Sequence, residues 1–568
     1  MKRIVLPTFI TTGLIALLLL FPAGAQQEPR AFLPFVARDV SPGSWPAPPT
    51  PTTPVTPSPA DVRIVSSSSF TQTIGAETFL FIVGEVGNAG PATVRDLGVI
   101  AALLDDDGEL IEHATEPAYQ TILGPGELTP FRIMLSVPAG YASHSLYLDY
   151  EPTSEGPLPQ VTPSATNTYV DESSGWQYFL GEVVNGTDVD MAGVRAVVTL
   201  YDAFGDVLNV VDSGRGASSL YEDVIGVGQK RPLRAVLRYG PRDYARLRWQ
   251  VAYRPADRPA PVSLPVQVGH IARGSGTLRD ENGDVIGVTQ WLDIYGEVEN
   301  TTSGPIRAVR AFAAFYDNDG EVTNAGLVQS LHGRLGVLAP GERTPFHLNI
   351  SSGQIPDVDT SRFVGVTYAP ADGTWQDQIH LTTQRAYLET RSVLGIPVEW
   401  LNVVGEARND GGEPAQDVRV VATFYDAEGR VVNAMAGQVF RLQLPAGGTS
   451  PFKIRTASGP LAYDHFSLGV ISQPSQALEP AGLVVDVSAP AAGAMPAIFQ
   501  GEVTNESGET RTEVAVFVAL YDTEGQILVA ESQVVAEEMA AGDSTPFALR
   551  VEQGPGGWHT YDIGANSN

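Results

Sequence analysis

Five carboxylate pairs recur along this chain at one spacing: Glu85 and Asp105, Glu182 and Asp202, Glu297 and Asp317, Glu406 and Asp426, Glu502 and Asp522. Each Glu follows a Gly, and each is followed three residues later by Asn88, Asn185, Asn300, Asn409 or Asn505. Paired carboxylates hydrolyse glycosides only when they sit within about 10 Å of each other. These Glu residues fall one to a copy, in separate copies of a unit of about 100 residues, and so do not converge on one bond. A residue repeated in every copy is read as framework.

A second candidate lies six residues before the Glu, where Phe79, Trp176, Trp291 and Trp400 stand in four copies and Pro496 in the fifth. Alternation along a strand puts this aromatic on the same face as the Glu, outward from the core. The residue thirteen after the Glu, Arg195, Arg310 or Arg419 in three copies, is expected on that face too. This predicts a cross-strand Glu–Arg pair worth at most about 1 kcal/mol. Trp176, Trp291 and Trp400 beside Arg form a candidate carbohydrate-stacking platform. The alternatives are packing on the sheet with Arg and Tyr, or contact with a neighbouring domain.

Other chemistry is sparse. Asp105-Asp106-Asp107 and Asp280-x-Asn282-x-Asp284 resemble pieces of calcium loops but lack the closing Glu. They read as turns, with weak Ca²⁺ binding as the alternative, and no cofactor is expected. The eight histidines form no His-x-x-x-His pair, and no Gly-x-Ser-x-Gly elbow occurs. No catalytic residue and no enzymatic activity are expected. Asn185, Asn300 and Asn505 match the N-glycosylation acceptor because the repeat places Asn before a polar loop, so they are discounted.

The elements that carry these residues are strands. After the Gly-Glu strand comes a second strand with alternate apolar sets: Leu97, Val99, Ala101, Leu103 in copy one and Val194, Ala196, Val198, Leu200 in copy two. The corresponding sets begin at Val309, Val418 and Val514. Period-two alternation marks a half-buried strand with a fixed register. It ends in Tyr-Asp-x-x-Gly, as in Tyr201–Gly205, Tyr316–Gly320, Tyr425–Gly429 and Tyr521–Gly525, whereas copy one has Leu104–Gly108. Asp at the first and Gly at the fourth position of that turn suit a hairpin. Thr-Pro-Phe or a close variant follows at Thr129, Thr344, Ser450 and Thr545, with Arg231-Pro232-Leu233 in copy two. Short strands with hairpin turns and no helix signals predict an all-β chain: a tandem array of about five immunoglobulin-like β-sandwich domains. Their spans are 61–152, 160–255, 262–370, 379–473 and 480–568.

The Gly-Glu-Val-x-Asn strand, the Tyr-Asp-x-x-Gly turn and the Pro-Gly-Glu-x-Thr-Pro-Phe segment resemble the FxLYD domain of secreted bacterial and archaeal proteins. The resemblance covers nearly everything after residue 60. It implies an immunoglobulin-like extracellular module with no catalytic residues to carry over. Copies one and two depart from the pattern at the turn and at the Thr-Pro-Phe segment.

Residues 1–25 read as a secretory signal peptide: Lys2 and Arg3, an apolar run to Phe21, then Ala23-Gly24-Ala25 as a cleavage site. Residues 26–60 form a Pro/Thr-rich linker expected to be disordered or polyproline-like. The chain has no cysteine, which excludes disulfides and thiolate chemistry, and its net charge of −30 argues against nucleic acid as a partner. The expected address is secreted or cell-surface, with no membrane insertion after cleavage of the leader. Cell-envelope proteins or polysaccharide are the expected partners. The expected function is a non-enzymatic rod of modules, a spacer, matrix component or adhesive stalk, with carbohydrate binding as the alternative. Domains joined end to end, at ~35 Å each, would span roughly 150–200 Å.

Overall fold

The computed structural model describes residues 61–567, apart from 172–173, 214–223, 280–284, 334–335, 352–360, 372–377, 394–395, 476–481 and 553–556. The leader, the Pro/Thr-rich segment and the calcium-like residues Asp280, Asn282 and Asp284 lie outside the described residues.

The described residues are all-β and antiparallel, with strands β1 to β33 forming ten small sheets. Copy one shows the plan. β1 (Val62–Ile74), β2 (Glu77–Asn88) and β5 (Leu128–Ser136) form one sheet, with β2 in the centre. β3 (Thr93–Leu104) is the centre of the other, between β4 (Leu110–Pro117) and β6 (Ser143–Thr153). Leu80, Ile82 and Val86 of β2 meet Leu97, Val99, Ala101 and Leu103 of β3 in one cluster, consistent with β-sandwich packing. All four β3 residues are fully buried, as their alternation predicts.

In copy two, β7 (Ser164–Val170), β8 (Gln177–Val184) and β12 (Lys230–Leu237) make the first sheet. β9 (Met191–Tyr201), β10 (Val207–Asp212), the two-residue β11 (Val224–Ile225) and β13 (Arg246–Pro255) make the second. Copy three pairs β14 (Val266–Arg279), β15 (Val285–Glu299) and β19 (Arg343–Ile350) with β16 (Ile306–Tyr316), β17 (Val322–Gln329), β18 (Val337–Leu338) and β20 (Ser361–Pro370). Copy four pairs β21 (Ile379–Val393), β22 (Ile396–Asn409) and β26 (Thr449–Thr456) with β23 (Ala415–Tyr425), β24 (Val431–Gln438), β25 (Gln443–Leu444) and β27 (His465–Pro474). Copy five pairs β28 (Leu483–Ser488), β29 (Ala497–Asn505) and β32 (Ser544–Val551) with β30 (Arg511–Tyr521), β31 (Ile527–Met539) and β33 (Thr560–Asn566).

The motif Gly and the Phe of Thr-Pro-Phe require each other. Phe131 pairs with Gly84, Phe346 with Gly296 and Phe452 with Gly405. A Cβ on Gly84 would lie 2.6 Å from the Phe131 ring, and one on Gly405 would lie 2.4 Å from that of Phe452. Leu233 replaces Phe in copy two, where the nearest atom to a Cβ on Gly181 is 3.1 Å away. The Pro of the same segment sits opposite the Glu, on the outer strand of the sheet, where a missing N–H breaks no ladder. A second shared device is a bulge eleven residues after the Glu. Asp96, Ala308, Asp417 and Glu513 take positive φ there, and Gly193 does so in copy two.

The copies do not meet end to end. The outer face of each first sheet packs against the outer face of the next copy's second sheet, led by that sheet's edge strand. Val83 of β2 clusters with Val197, Tyr201, Val207, Val210 and Ala252 of copy two. Tyr295 of β15 clusters with Val431 and Ala434 of copy four, and Val404 of β22 with Phe517, Ala519, Ile527 and Ala530 of copy five. Arg231 of β12 lies 5.1 Å over the Phe312 ring of copy three. Ten sheets at ~10 Å spacing give a stack of roughly 100 Å, shorter than the end-to-end expectation of 150–200 Å. The reason is that both broad faces of the inner copies are apolar enough to be buried.

Candidate functional site at the joints between copies

The turn Asp and the strand Asn do local work in every copy. Asp105 Oδ1 accepts from the amides of Asp107 (3.0 Å) and Glu109 (2.9 Å). Asp202, Asp317, Asp426 and Asp522 repeat this pattern. The Asp105–Asp107 run is therefore a turn that uses its own carboxylate on its own backbone. Asn88 Oδ1 accepts from Gly90 N, and its Nδ2 donates to the carbonyls of Ala92 and Leu123. Asn185, Asn300, Asn409 and Asn505 are likewise buried and bonded. The far bond, to a carbonyl some 35 residues on, ties the first sheet to the edge of the second, which spacing alone did not reveal. With both Nδ2 hydrogens used inside the fold, Asn185, Asn300 and Asn505 are not presented as glycan acceptors.

The Glu behaves differently from the expectation. Glu85, Glu182 and Glu297 point away from the core, yet only 3–4% of each is exposed, because the next copy covers them. The expected Glu–Arg pair does not form. Arg195, Arg310 and Arg419 stand on β9, β16 and β23, which belong to the opposite sheet from their own Glu. Arg195 instead lies 5.8 Å over the Tyr119 ring of copy one. A Cβ on Gly333 of copy three would sit 3.9 Å from Arg419 Nη1.

The partner of the Glu is the Tyr of the following copy's Tyr-Asp turn. Tyr201 Oη donates to Glu85 Oε1 at 2.7 Å, Tyr316 Oη to Glu182 Oε1, and Tyr521 Oη to Glu406 Oε2 at 2.8 Å. Arg248 adds a charged donor to Glu85, and Lys230 stands 3.8 Å from Glu182. Burial, followed by the Glu bond, pushes the Tyr201 phenol well above its ordinary range. For Tyr521, burial and then the charge and bond of Glu406 do the same. At the third joint Tyr425 Oη accepts from Ser467 Oγ at 3.5 Å, while Arg343 of the same sheet approaches Glu297 at 3.7 Å. Burial raises the Glu297 carboxyl, and Arg343 opposes that rise.

A second bond repeats beside the first. Ser66 Oγ accepts from Val207 N at 3.0 Å, and Thr383 Oγ1 accepts from Ile527 N at 3.1 Å. The fourth joint also encloses charge. Lys453 Nζ lies 2.7 Å from Glu531 and 3.7 Å from Glu389, and Arg391 bonds both carboxylates. Burial would raise the Glu531 carboxyl, but Lys453 and Arg391 outweigh it and hold it below its usual value.

Of the aromatics at the candidate carbohydrate platform, Phe79, Trp291 and Trp400 are buried and Trp176 is half-buried. Trp400 is 2% and Trp291 7% exposed, and Phe79 is buried. Arg455 stacks on Trp400 at 5.0 Å, and Arg238 covers the half-buried Trp176 at 4.4 Å. Trp291 packs on Gly274 and donates Nε1–H to Asp293. These are the sheet-packing contacts weighed as the alternative.

The first sheet of copy five and the second sheet of copy one differ from the joined faces. Glu502 is exposed, beside Gln500 and opposite Asp486, on the face of β29 where other copies carry Tyr, Trp or Phe. Leu104 replaces the Tyr on copy one, on a face that carries His113, Thr115 and Ser145.

No protein-family model matches the chain, and no curated protein does. Among solved structures, a β-glucuronidase of glycoside hydrolase family 2 is similar over 44% of this chain and 24% of its own, at 12% identity and TM-score 0.11. The Escherichia coli alpha-2-macroglobulin activated by porcine elastase is similar over 88% of this chain and 53% of its own, at 11% identity and TM-score 0.10. The chain spans less than two thirds of either structure's length. At these TM-scores neither likeness bears on function.

Proposed function

We propose that the chain is a non-enzymatic structural protein: five immunoglobulin-like β-sandwich modules of FxLYD type, exported behind a cleaved leader and held as one stiff column. It serves as a spacer or matrix component at the cell surface, with the Pro/Thr-rich segment 26–60 as its tether. The observation that carries this reading is the use of the repeated motif at the joints. Glu85, Glu182 and Glu406 each take a hydrogen-bond donor from the next copy, so the repeated motif serves to fix one module against another. Buried apolar faces at each joint favour a fixed angle over free swivelling, since flexible arrays leave such faces polar.

The test has two arms. Fractionation of the source cells with N-terminal sequencing is expected to find the protein outside the membrane and lacking residues 1–25. Small-angle scattering of the mature protein is expected to give a rigid folded body of roughly 100 Å. Cytoplasmic protein with an intact leader would overturn the export reading. A scattering profile of independently tumbling beads would overturn the spacer reading.

A further inference from the structure

We propose that the joint between copies three and four is an acid-opened hinge, built to loosen as pH falls from neutral. Four of the eight histidines of the chain lie at this joint: His270, His332, His347 and His465. The contacts described above for the other three joints involve none.

The outer face of copy three carries a cross-strand row of His270, Tyr295 and His347, on β14, β15 and β19. Tyr295 stacks on His347 with ring centroids 4.3 Å apart and lies 6.4 Å from His270. Copy four receives this row on small residues. Val431 and Ala434 pack on Tyr295, and a Cβ on Gly459 would lie 2.6 Å from Tyr295 Oη. A Cβ on Gly269, next to His270, would lie 2.2 Å from the Val431 carbonyl, so the two backbones touch. His332 closes the other side. Its Nδ1 bonds Thr344 Oγ1 at 2.5 Å, and its Nε2 would be 3.0 Å from a Cβ on Gly469 of β27. On β27 itself, His465 stacks on Tyr425 at 5.0 Å.

The ring of His332 is thus held between Thr344 of its own copy and the β27 backbone of copy four while the joint is closed. Burial holds its pKa down to about 4 and lowers that of His270 as well. The charged groups around them divide in sign. From copy three, Asp293, Glu297 and Arg343 face the joint on β15 and β19, and Asp293 takes the Nε2 of His347 at 2.7 Å. From copy four come Tyr425, Asp426, Asp464 and Arg419, while Arg430 is bound to Asp426 and Glu428. Asp293 and Asp426 favour a charged His270, but burial outweighs them. The raised Glu297 carboxyl binds its proton more tightly in the closed state and resists opening at the acid end.

The direction follows from the lowered value. A histidine held neutral in the closed joint supports closure fully above its free pKa, near 6.5, and withdraws that support as pH falls toward 4. For His332 alone, the ratio of open to closed joint rises about 20-fold between neutral pH and pH 5. This is also the joint whose Tyr–Glu bond is replaced by the long Tyr425–Ser467 contact.

The test uses the full chain, which has no cysteine of its own. Spin labels at Asp319→Cys and Glu428→Cys, on exposed turns of copies three and four, report this joint. Labels at Glu428→Cys and Glu524→Cys report the next one. The expected result is a distance distribution that broadens between pH 6.5 and 4.5 for the first pair and stays unchanged for the second. His332→Gln with His270→Gln is expected to abolish the acid broadening. Two results overturn the proposal: both pairs broadening together, or the first pair unchanged to pH 4. Because these two are read on chains with all histidines intact, they stand even if the histidine variant fails to fold.

Discussion

Removing one hydroxyl at the first joint tests whether the motif Glu is an inter-copy acceptor. In Tyr201→Phe the ring keeps its packing, including Arg246 at 3.8 Å over its face, and only the bond to Glu85 is lost. Both side chains are 3% exposed, so water does not simply replace the donor. A hydrogen bond to a buried charged group is worth about 1.5–3 kcal/mol. Arg248 still holds Glu85, which places the expected loss near the lower end, at about 1.5–2 kcal/mol. Glu85→Gln keeps an acceptor but weakens the contact with Arg248. A double-mutant cycle should give a coupling of about 1 kcal/mol. Native-state hydrogen exchange of the β2 and β9 amides resolves this joint from the rest of the array. Tyr425→Phe is the internal comparison and should cost under about 0.5 kcal/mol, since its contact is the 3.5 Å one with Ser467. Additive single mutants, or a Tyr201→Phe loss no larger than that of Tyr425→Phe, would refute the reasoning.

Gly405→Ala should destabilise copy four by about 1–3 kcal/mol, because its Cβ would meet Phe452 at 2.4 Å and the Thr383 carbonyl at 2.7 Å. Adding Phe452→Leu should recover part of this in a chemical unfolding curve. Ala308→Gly should stabilise copy three by about 0.5–1 kcal/mol, because Ala308 sits at φ 55° in the shared bulge where copy two already has Gly. A thermal melt shifted downward would contradict that. Burial raises the Tyr201 and Tyr521 phenols above the ordinary value of 10.0, so their contribution is complete below pH 10 and is lost as pH rises beyond it. Melting temperature should fall between pH 9 and 11, with these phenols ionising only as the joints open.

Local features were legible in the residues. Leu97 to Leu103 and their counterparts alternate because one face is core, and they are fully buried. Asp105 and its counterparts, each three residues before a turn Gly, serve the turn backbone as their chemistry suggests. The burial of the Glu was not legible, because its donor lies 116 residues away in another copy. Alternation correctly sent Glu85 away from the core but carried no information about what covers that side. A cue was nevertheless present in the departures: copy one has Leu104 in place of Tyr, and copy five has Pro496 in place of the aromatic. Copy five, with that departure, is also the copy whose Glu502 is exposed. The expected Glu–Arg pair does not form because β8 and β9, though consecutive in the chain, lie in different sheets.

The central claim is that the copies stack face to face through this motif. Ser68, on the flat of β1, donates to the Val207 carbonyl of copy two at 2.6 Å. In a chain without cysteines, Ser68→Cys with Val207→Cys gives a unique pair. Under mild oxidation the stacked arrangement predicts a near-complete intramolecular disulfide in the folded protein, detectable by peptide mapping. No disulfide from the folded protein would contradict it, because copies joined only at their ends leave the flat of β1 far from copy two.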